Sequence, residues 1–188
     1  MRREGKSRRL ACGLRLWPLG LAGLGSLVAA NAHHTGLRIN WTASAPIGFY
    51  RERPLRIALG ELALVCLPSA VEDVGRRRGY IPAGDCPGGS SPALKQIAGL
   101  PGDTVAVGEA FLAVNGRVLL EAVVQRSDSS GRPLEHAPFG SHVLPPDRVW
   151  VMGLNPARSW DSRYFGPIPI ESLVGSARPL LTINLRQP

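Results

Sequence analysis

The chain has 188 residues and a formal net charge of +8, with 22 basic residues against 14 acidic ones. Half of that excess lies in the first nine residues, where Arg2, Arg3, Lys6, Arg8 and Arg9 face only Glu4. Basic and aromatic residues do not interleave along the rest of the chain, so the charge argues against a nucleic-acid partner, and 44% hydrophobic with 6% aromatic residues fits a globular body plus an added apolar segment.

Residues 1–9 read as a cytoplasmic basic tail. Residues 10–30 are an apolar stretch interrupted by Arg15 and Pro18. With the arginine snorkelling, the stretch is long enough to cross a bilayer as a helix. Basic residues before it and few after it predict a cytoplasmic N-terminus and an exported remainder, residues 31–188. Two readings stay open: a cleavable signal sequence, since Ala30-Asn31-Ala32 has the small-x-small pattern, or an uncleaved anchor. The anchor is favoured because only about 13 residues separate Ala30 from Ser44, which would hold chemistry at Ser44 near the membrane surface. His33 and His34 then fall in the interfacial region.

Beyond residue 31, helical periodicity is scarce and short β-like runs dominate. Residues 62–67 read as a buried strand and 70–78 as the one helical stretch outside the anchor. Lys95 lies in a mostly apolar strand that ends in the turn Leu100-Pro101-Gly102-Asp103. Residues 103–107 and 110–114 are two further strands, and Asn115-Gly116 offers a hairpin turn into 117–124. Residues 126–146, rich in Ser, Gly, Pro and His, read as a long surface excursion. Residues 148–152 and 180–185 complete the strands. With 22 glycines and 17 prolines punctuating these runs, the fold class is mainly β in one exported domain.

Of the three cysteines, Cys12 lies in the apolar segment. Cys66 and Cys86 flank a loop of about 20 residues; pairing them would add roughly 3 kcal/mol by restricting the unfolded chain, and two free buried thiols are the alternative. No histidine or third cysteine stands near enough to suggest a metal site, and no cofactor is expected.

Three segments carry candidate chemistry. Only two of the basic residues are lysines, Lys6 in the tail and Lys95 in the body. A guanidinium keeps its proton, whereas an ammonium in an apolar pocket can become neutral and act as a base, which makes Lys95 a candidate. In Thr42-Ala43-Ser44-Ala45-Pro46-Ile47-Gly48, proline and glycine restrict and then release the backbone just after a small hydroxyl residue. Such a turn can present a nucleophilic serine, or Ser44 can be an ordinary turn residue. In Ser159-Trp160-Asp161-Ser162-Arg163, two hydroxyls, a carboxylate and a guanidinium alternate, which suits either a hydrogen-bonded support for a site or an Asp–Arg pair capping a loop. A Ser–His–Asp triad using His136 or His142 finds no carboxylate framed around either imidazole. Arg76, Arg77 and Arg78 read as a solvated face, with contact to anionic lipid as the alternative.

Taken in order, Ser44 with APIGFY after it, KQIAGLPGD around Lys95 and SWDSRYFGP from Ser159 resemble the signal peptidase I superfamily of membrane-bound serine proteases with a Ser–Lys dyad, family S26. The stronger likeness is to its conjugative-transfer branch, the TraF-type pilin maturation peptidases. Ala45 stands where housekeeping enzymes usually have methionine, and Gly153-Leu154-Asn155-Pro156 where they tend to read Gly-Asp-Asn-Arg. The likeness implies an antiparallel β body behind one N-terminal transmembrane helix in the bacterial inner membrane, with the catalytic domain in the periplasm. It implies Ser44 as nucleophile and Lys95 as its base, Ser159 orienting the lysine, and Asp161 with Arg163 as support. Thr42 is expected to help stabilise the oxyanion beside the Ser44 N–H. The implied partner is an exported precursor, a conjugative pilin, with the transfer machinery nearby, and the implied product is linear or cyclic. General removal of signal peptides and a non-catalytic pilus assembly role are the competing readings.

Overall fold

The computed structural model describes residues 36–120 and 123–183. The predicted basic tail and the anchor or signal sequence lie outside them. Among the described residues no helix is long and apolar enough to cross a membrane.

Eleven strands alternate with little helix: β1 Leu37–Asn40, β2 Ile47–Arg53, β3 Leu62–Val65, β4 Ala93–Gly99, β5 Thr104–Val107, β6 Leu112–Val114, β7 Arg117–Leu120, β8 Gly140–Val143, β9 Arg148–Met152, β10 Ile168–Pro169 and β11 Leu173–Ile183. Among the described residues the α-helices are α1, Ser69–Arg77, and the single turn α2, Ser162–Phe165. The strands form a seven-stranded sheet in the order β1-β2-β11-β3-β4-β9-β10 and a four-stranded sheet in the order β7-β6-β5-β8. Pairing is antiparallel from β2 through β11, β3, β4, β9 and β10, and throughout the smaller sheet.

Strand β4 lies in the middle of the large sheet and is covered on both faces. Because side chains alternate, Leu94 and Ala98 join cores on one face, while Lys95, opposite Ala63, shares the other with Ile97, opposite Val151. That second face is an apolar cluster of Ala63, Val65, Ile97, Val149 and Val151, with Val71 of α1, Ile81, Trp160 and Phe165 packed against it. The lysine is thus mounted among residues that cannot solvate its charge. Leu100-Pro101-Gly102-Asp103 then reverses the chain, with Gly102 at φ 84° and the Asp103 N–H donating to the Leu100 carbonyl at 3.0 Å.

Several predicted elements have different bounds. The strand expected over 62–67 stops at Val65, that over 110–114 begins at Leu112, and Leu173–Ile183 is far longer than the expected 180–185. The excursion over 126–146 is not all surface. Ala137 and Leu144 are buried in the core between the sheets, and β8 pairs with β5. Arg78 is also more than a solvated charge, since its guanidinium donates to the Pro133 carbonyl at 2.7 Å and to the Tyr80 hydroxyl at 3.3 Å. Cys66 and Cys86 are joined in a disulfide with Cα atoms 5.5 Å apart, tying the end of β3 to the loop that leads into β4.

Candidate active site

Ser44 lies in the turn between β1 and β2. The side chain of Asn40 organises that turn: its amide nitrogen donates to the carbonyls of Thr42, Ala45 and Pro46 at 3.1, 3.2 and 3.1 Å. Three carbonyls around Nδ2 fix the amide orientation, so Oδ1 is the acceptor that faces Thr42. It takes the Thr42 N–H at 3.2 Å and the Thr42 hydroxyl at 2.7 Å. The buried Tyr50 donates its hydroxyl to the Pro46 carbonyl at 2.6 Å, which holds the far side of the turn. Gly48, read as part of the turn, belongs to β2. Its φ is 148°, and a Cβ there would run into the Leu181 carbonyl of the paired strand.

The Ser44 hydroxyl stands 3.1 Å from that of Thr42. Thr42 has one hydroxyl proton and directs it at Asn40, so Ser44 donates to Thr42. In this arrangement the Thr42 hydroxyl donates to Asn40 and accepts from Ser44.

Lys95 is 5% exposed. Its Nζ donates to the Ser159 hydroxyl and to the Trp160 carbonyl, both at 2.8 Å. Burial is the largest influence on this amine and pushes its pKa down to about 8; the Asp161 carboxylate raises it and the Arg163 guanidinium lowers it. Ser44, Thr42, Lys95 and Ser159 line one cleft of about 520 Å³, although Ser44 and Lys95 share no hydrogen bond. The lining also includes Ser91 and Pro92, just before β4, and Ala93, its first residue.

Asp161 and Arg163 do not line the cleft and are buried, 0% and 1% exposed. The guanidinium meets the carboxylate through Nε at 2.8 Å and Nη2 at 3.0 Å, a fork that suits a buried pair. Arg163 also grips the carbonyls of Pro156 at 2.6 Å and Ser159 at 3.1 Å, while Asp161 accepts the Gly153 N–H at 3.1 Å. The pair therefore fixes the backbone that carries Ser159, and through it the position of Lys95. It caps α2 as well, since Asp161 accepts the Arg163 N–H.

Three residues to which the sequence reading assigned no role of their own take part in this geometry. Asn40 builds the serine turn. Gly153 lies so close to Ser159 that a Cβ would overlap that side chain and come within 3.0 Å of the Ser44 carbonyl. Ser162 accepts the Val151 N–H at 3.0 Å and so ties α2 to β9. The Asn155 N–H also donates to the Ser44 carbonyl at 2.9 Å, joining the two motifs across the cleft. His136 stacks on Phe139 at 4.2 Å and His142 sits in β8; neither lines the cleft. Among the described residues, no cluster of three or more His, Cys, Asp or Glu is arranged to hold a metal ion.

Residues 35–181 match the sequence profile of the family described as signal peptidase, peptidase S26. A conjugal transfer protein TraF of Agrobacterium fabrum is 38% identical over 173 residues, covering 88% of this chain and 94% of that protein. A plasmid transfer protein TraF of Escherichia coli is 35% identical over 176 residues, covering 93% and 97%. The signal peptidase I of Mycobacterium tuberculosis is 32% identical over 111 residues, which cover 50% of this chain and 38% of that protein.

Proposed function

We propose that this chain, which belongs to the signal peptidase family, peptidase S26, is a membrane-anchored serine endopeptidase in which Ser44 is the nucleophile and Lys95 its general base. The observation that carries this reading is the state of Lys95. A neutral amine has two N–H donors and one lone pair. Ser159 and Trp160 accept both donors, so the lone pair is left for the cleft that Ser44 shares. A pKa of about 8 keeps about a tenth of the amine neutral at pH 7, enough to work as a base there.

In the first step the Ser44 hydroxyl turns from Thr42 to Lys95 and attacks the scissile carbonyl carbon as its proton passes to Nζ. The Ser44 N–H, which donates to no backbone carbonyl among the described residues, is the oxyanion donor; Thr42 adds a second once its hydroxyl leaves Asn40. The tetrahedral intermediate collapses, the lysine ammonium protonates the leaving amine, and an ester on Ser44 remains. Water, activated by the amine thus regenerated, releases a linear product. Attack by the substrate's own N-terminal amine instead forms an amide, consumes no water and gives a cyclic product.

The TraF relatives, matched over nearly their whole length, support conjugative transfer as the pathway, and the substrate proposed here is a conjugative pilin precursor. The basic tail, the apolar stretch and the Cys66–Cys86 disulfide suit an inner-membrane enzyme with its body in the periplasm. General signal-peptide removal is the second reading, favoured by the signal peptidase I match. The test is the intact mass of a pilin precursor incubated with the full chain in detergent, wild type or Ser44→Ala. Loss of a terminal peptide with wild type alone supports the protease, and a further deficit of one water marks cyclisation. Equal masses with both chains would sink the pilin assignment.

A further inference from the structure

Charge inside the cleft is unevenly matched. Its one carboxylate, Asp128, is fully occupied: it accepts the Tyr80 hydroxyl at 2.5 Å, the Arg132 Nε at 2.6 Å and the N–H groups of Ser130 and Arg132, both at 2.9 Å. Those bonds, the Tyr80 hydroxyl first, hold its carboxyl well below the usual carboxylate range. Of the two arginines lining the cleft, Arg38 is paired with Glu52 at 2.9 Å and Asp85 at 3.6 Å. The other, Arg158, is exposed and meets no carboxylate among the described residues.

Its mounting is firm. Arg158 ends the 3-10 turn Pro156–Arg158, where its N–H donates to the Asn155 carbonyl at 3.1 Å. The carbonyls on either side of it, of Pro156 and Ser159, are both held by the buried Arg163. The next residue, Ser159, touches the lysine amine. An arginine head reaches about 6–7 Å from its Cα, the span of about two residues of extended chain.

We infer that Arg158 is a specificity-determining residue that binds a carboxylate of the precursor, within about two or three residues of the scissile bond. This rests on the cleft being the substrate site proposed above. The carboxylate has two possible sources, an acidic side chain or the free end of a short chain. A guanidinium fork suits either, and a two-point charge-assisted pair changes affinity by roughly tenfold.

The test uses full-length chain in detergent with Ser44→Ala, so that binding is read without turnover. The probes are fluorescein-labelled alanine- and valine-based nonapeptides, measured by anisotropy. One series carries a single glutamate moved along an amidated peptide; a second is uncharged with a free C-terminal acid; the reference is uncharged and amidated. One carboxylate peptide should bind at least tenfold more tightly than the reference, and its series names the source. Adding Arg158→Gln should bring that ratio to about one, and Arg158→Glu should reverse it in favour of a lysine peptide. An unchanged ratio in Arg158→Gln, or no preference in the Ser44→Ala parent, overturns the inference. Because binding is the readout, a chain that binds these peptides selectively but never cleaves a precursor would remove the protease reading and leave this one standing.

Discussion

Burying Lys95 has a cost that can be measured apart from catalysis. Its pKa falls from 10.5 to about 8, and each unit is about 1.4 kcal/mol, so the folded state carries a penalty of about 3 kcal/mol while the lysine is protonated in both states. The sign follows from proton counts. Below pH 8 folded and unfolded chains both hold the proton and the penalty is complete. Between pH 8 and 10.5 the unfolded chain binds more protons, so stability rises with pH, by about 1.4 kcal/mol per unit, until the penalty is gone. Lys95→Met keeps the length and removes the charge. The difference in unfolding free energy between the two chains should therefore shift in favour of wild type by about 3 kcal/mol across that window, equivalent to about 6–12 °C for a chain of this size. Lost hydrogen bonds to Ser159 and Trp160 change the offset between the two curves but not this pH dependence. Calorimetry on full-length protein in detergent from pH 7 to 10.5 reads the difference. A wild-type minus Lys95→Met difference that stays level would refute the claim that the amine is buried at the expense of its proton.

Catalysis should follow the same group. The pH profile of kcat/KM is expected to fall tenfold per unit below an inflection near pH 8, and Lys95→Arg should lower activity by roughly a thousandfold or more at every pH, because a guanidinium does not give up its proton. Gly153→Ala drives a methyl into Ser159; peptide cleavage should drop by roughly a hundredfold while circular dichroism stays native, through displacement of the hydroxyl that holds Lys95. Arg163→Met leaves Asp161 buried without its partner, which should cost about 3–5 kcal/mol in denaturant unfolding. The same change removes a cation that depresses Lys95, so any remaining activity should show an inflection above pH 8.

The parts of the fold that sequence made legible are those whose side chains settle their place. Arg148–Met152 was read with its observed bounds because four of its five residues are buried. The Asn115-Gly116 turn was readable because both residues adopt positive φ, 49° and 76°. The 70–78 helix was one residue out of step with Ser69–Arg77. By contrast, β8 is exposed at all four positions and exists through backbone pairing with β5, so no pattern marks it. A helix of four residues, Ser162–Phe165, is too short to show a period. The site divides the same way. An isolated lysine in an apolar strand stands out by residue type. The contacts of Asn40, Gly153 and the Trp160 carbonyl are made to backbone or across close approaches, 65 residues apart in the last case, and nothing local announces them.

The covalent intermediate tests the central claim most directly. Full-length chain in detergent is mixed with a pilin precursor, quenched in acid within the first turnover and digested, and the peptide that contains Ser44 is weighed. The account predicts that this peptide gains the mass of the precursor's acyl fragment less one water, and that neither Ser44→Ala nor Lys95→Arg yields the adduct. Cleavage of the precursor by the Ser44→Ala chain would contradict it.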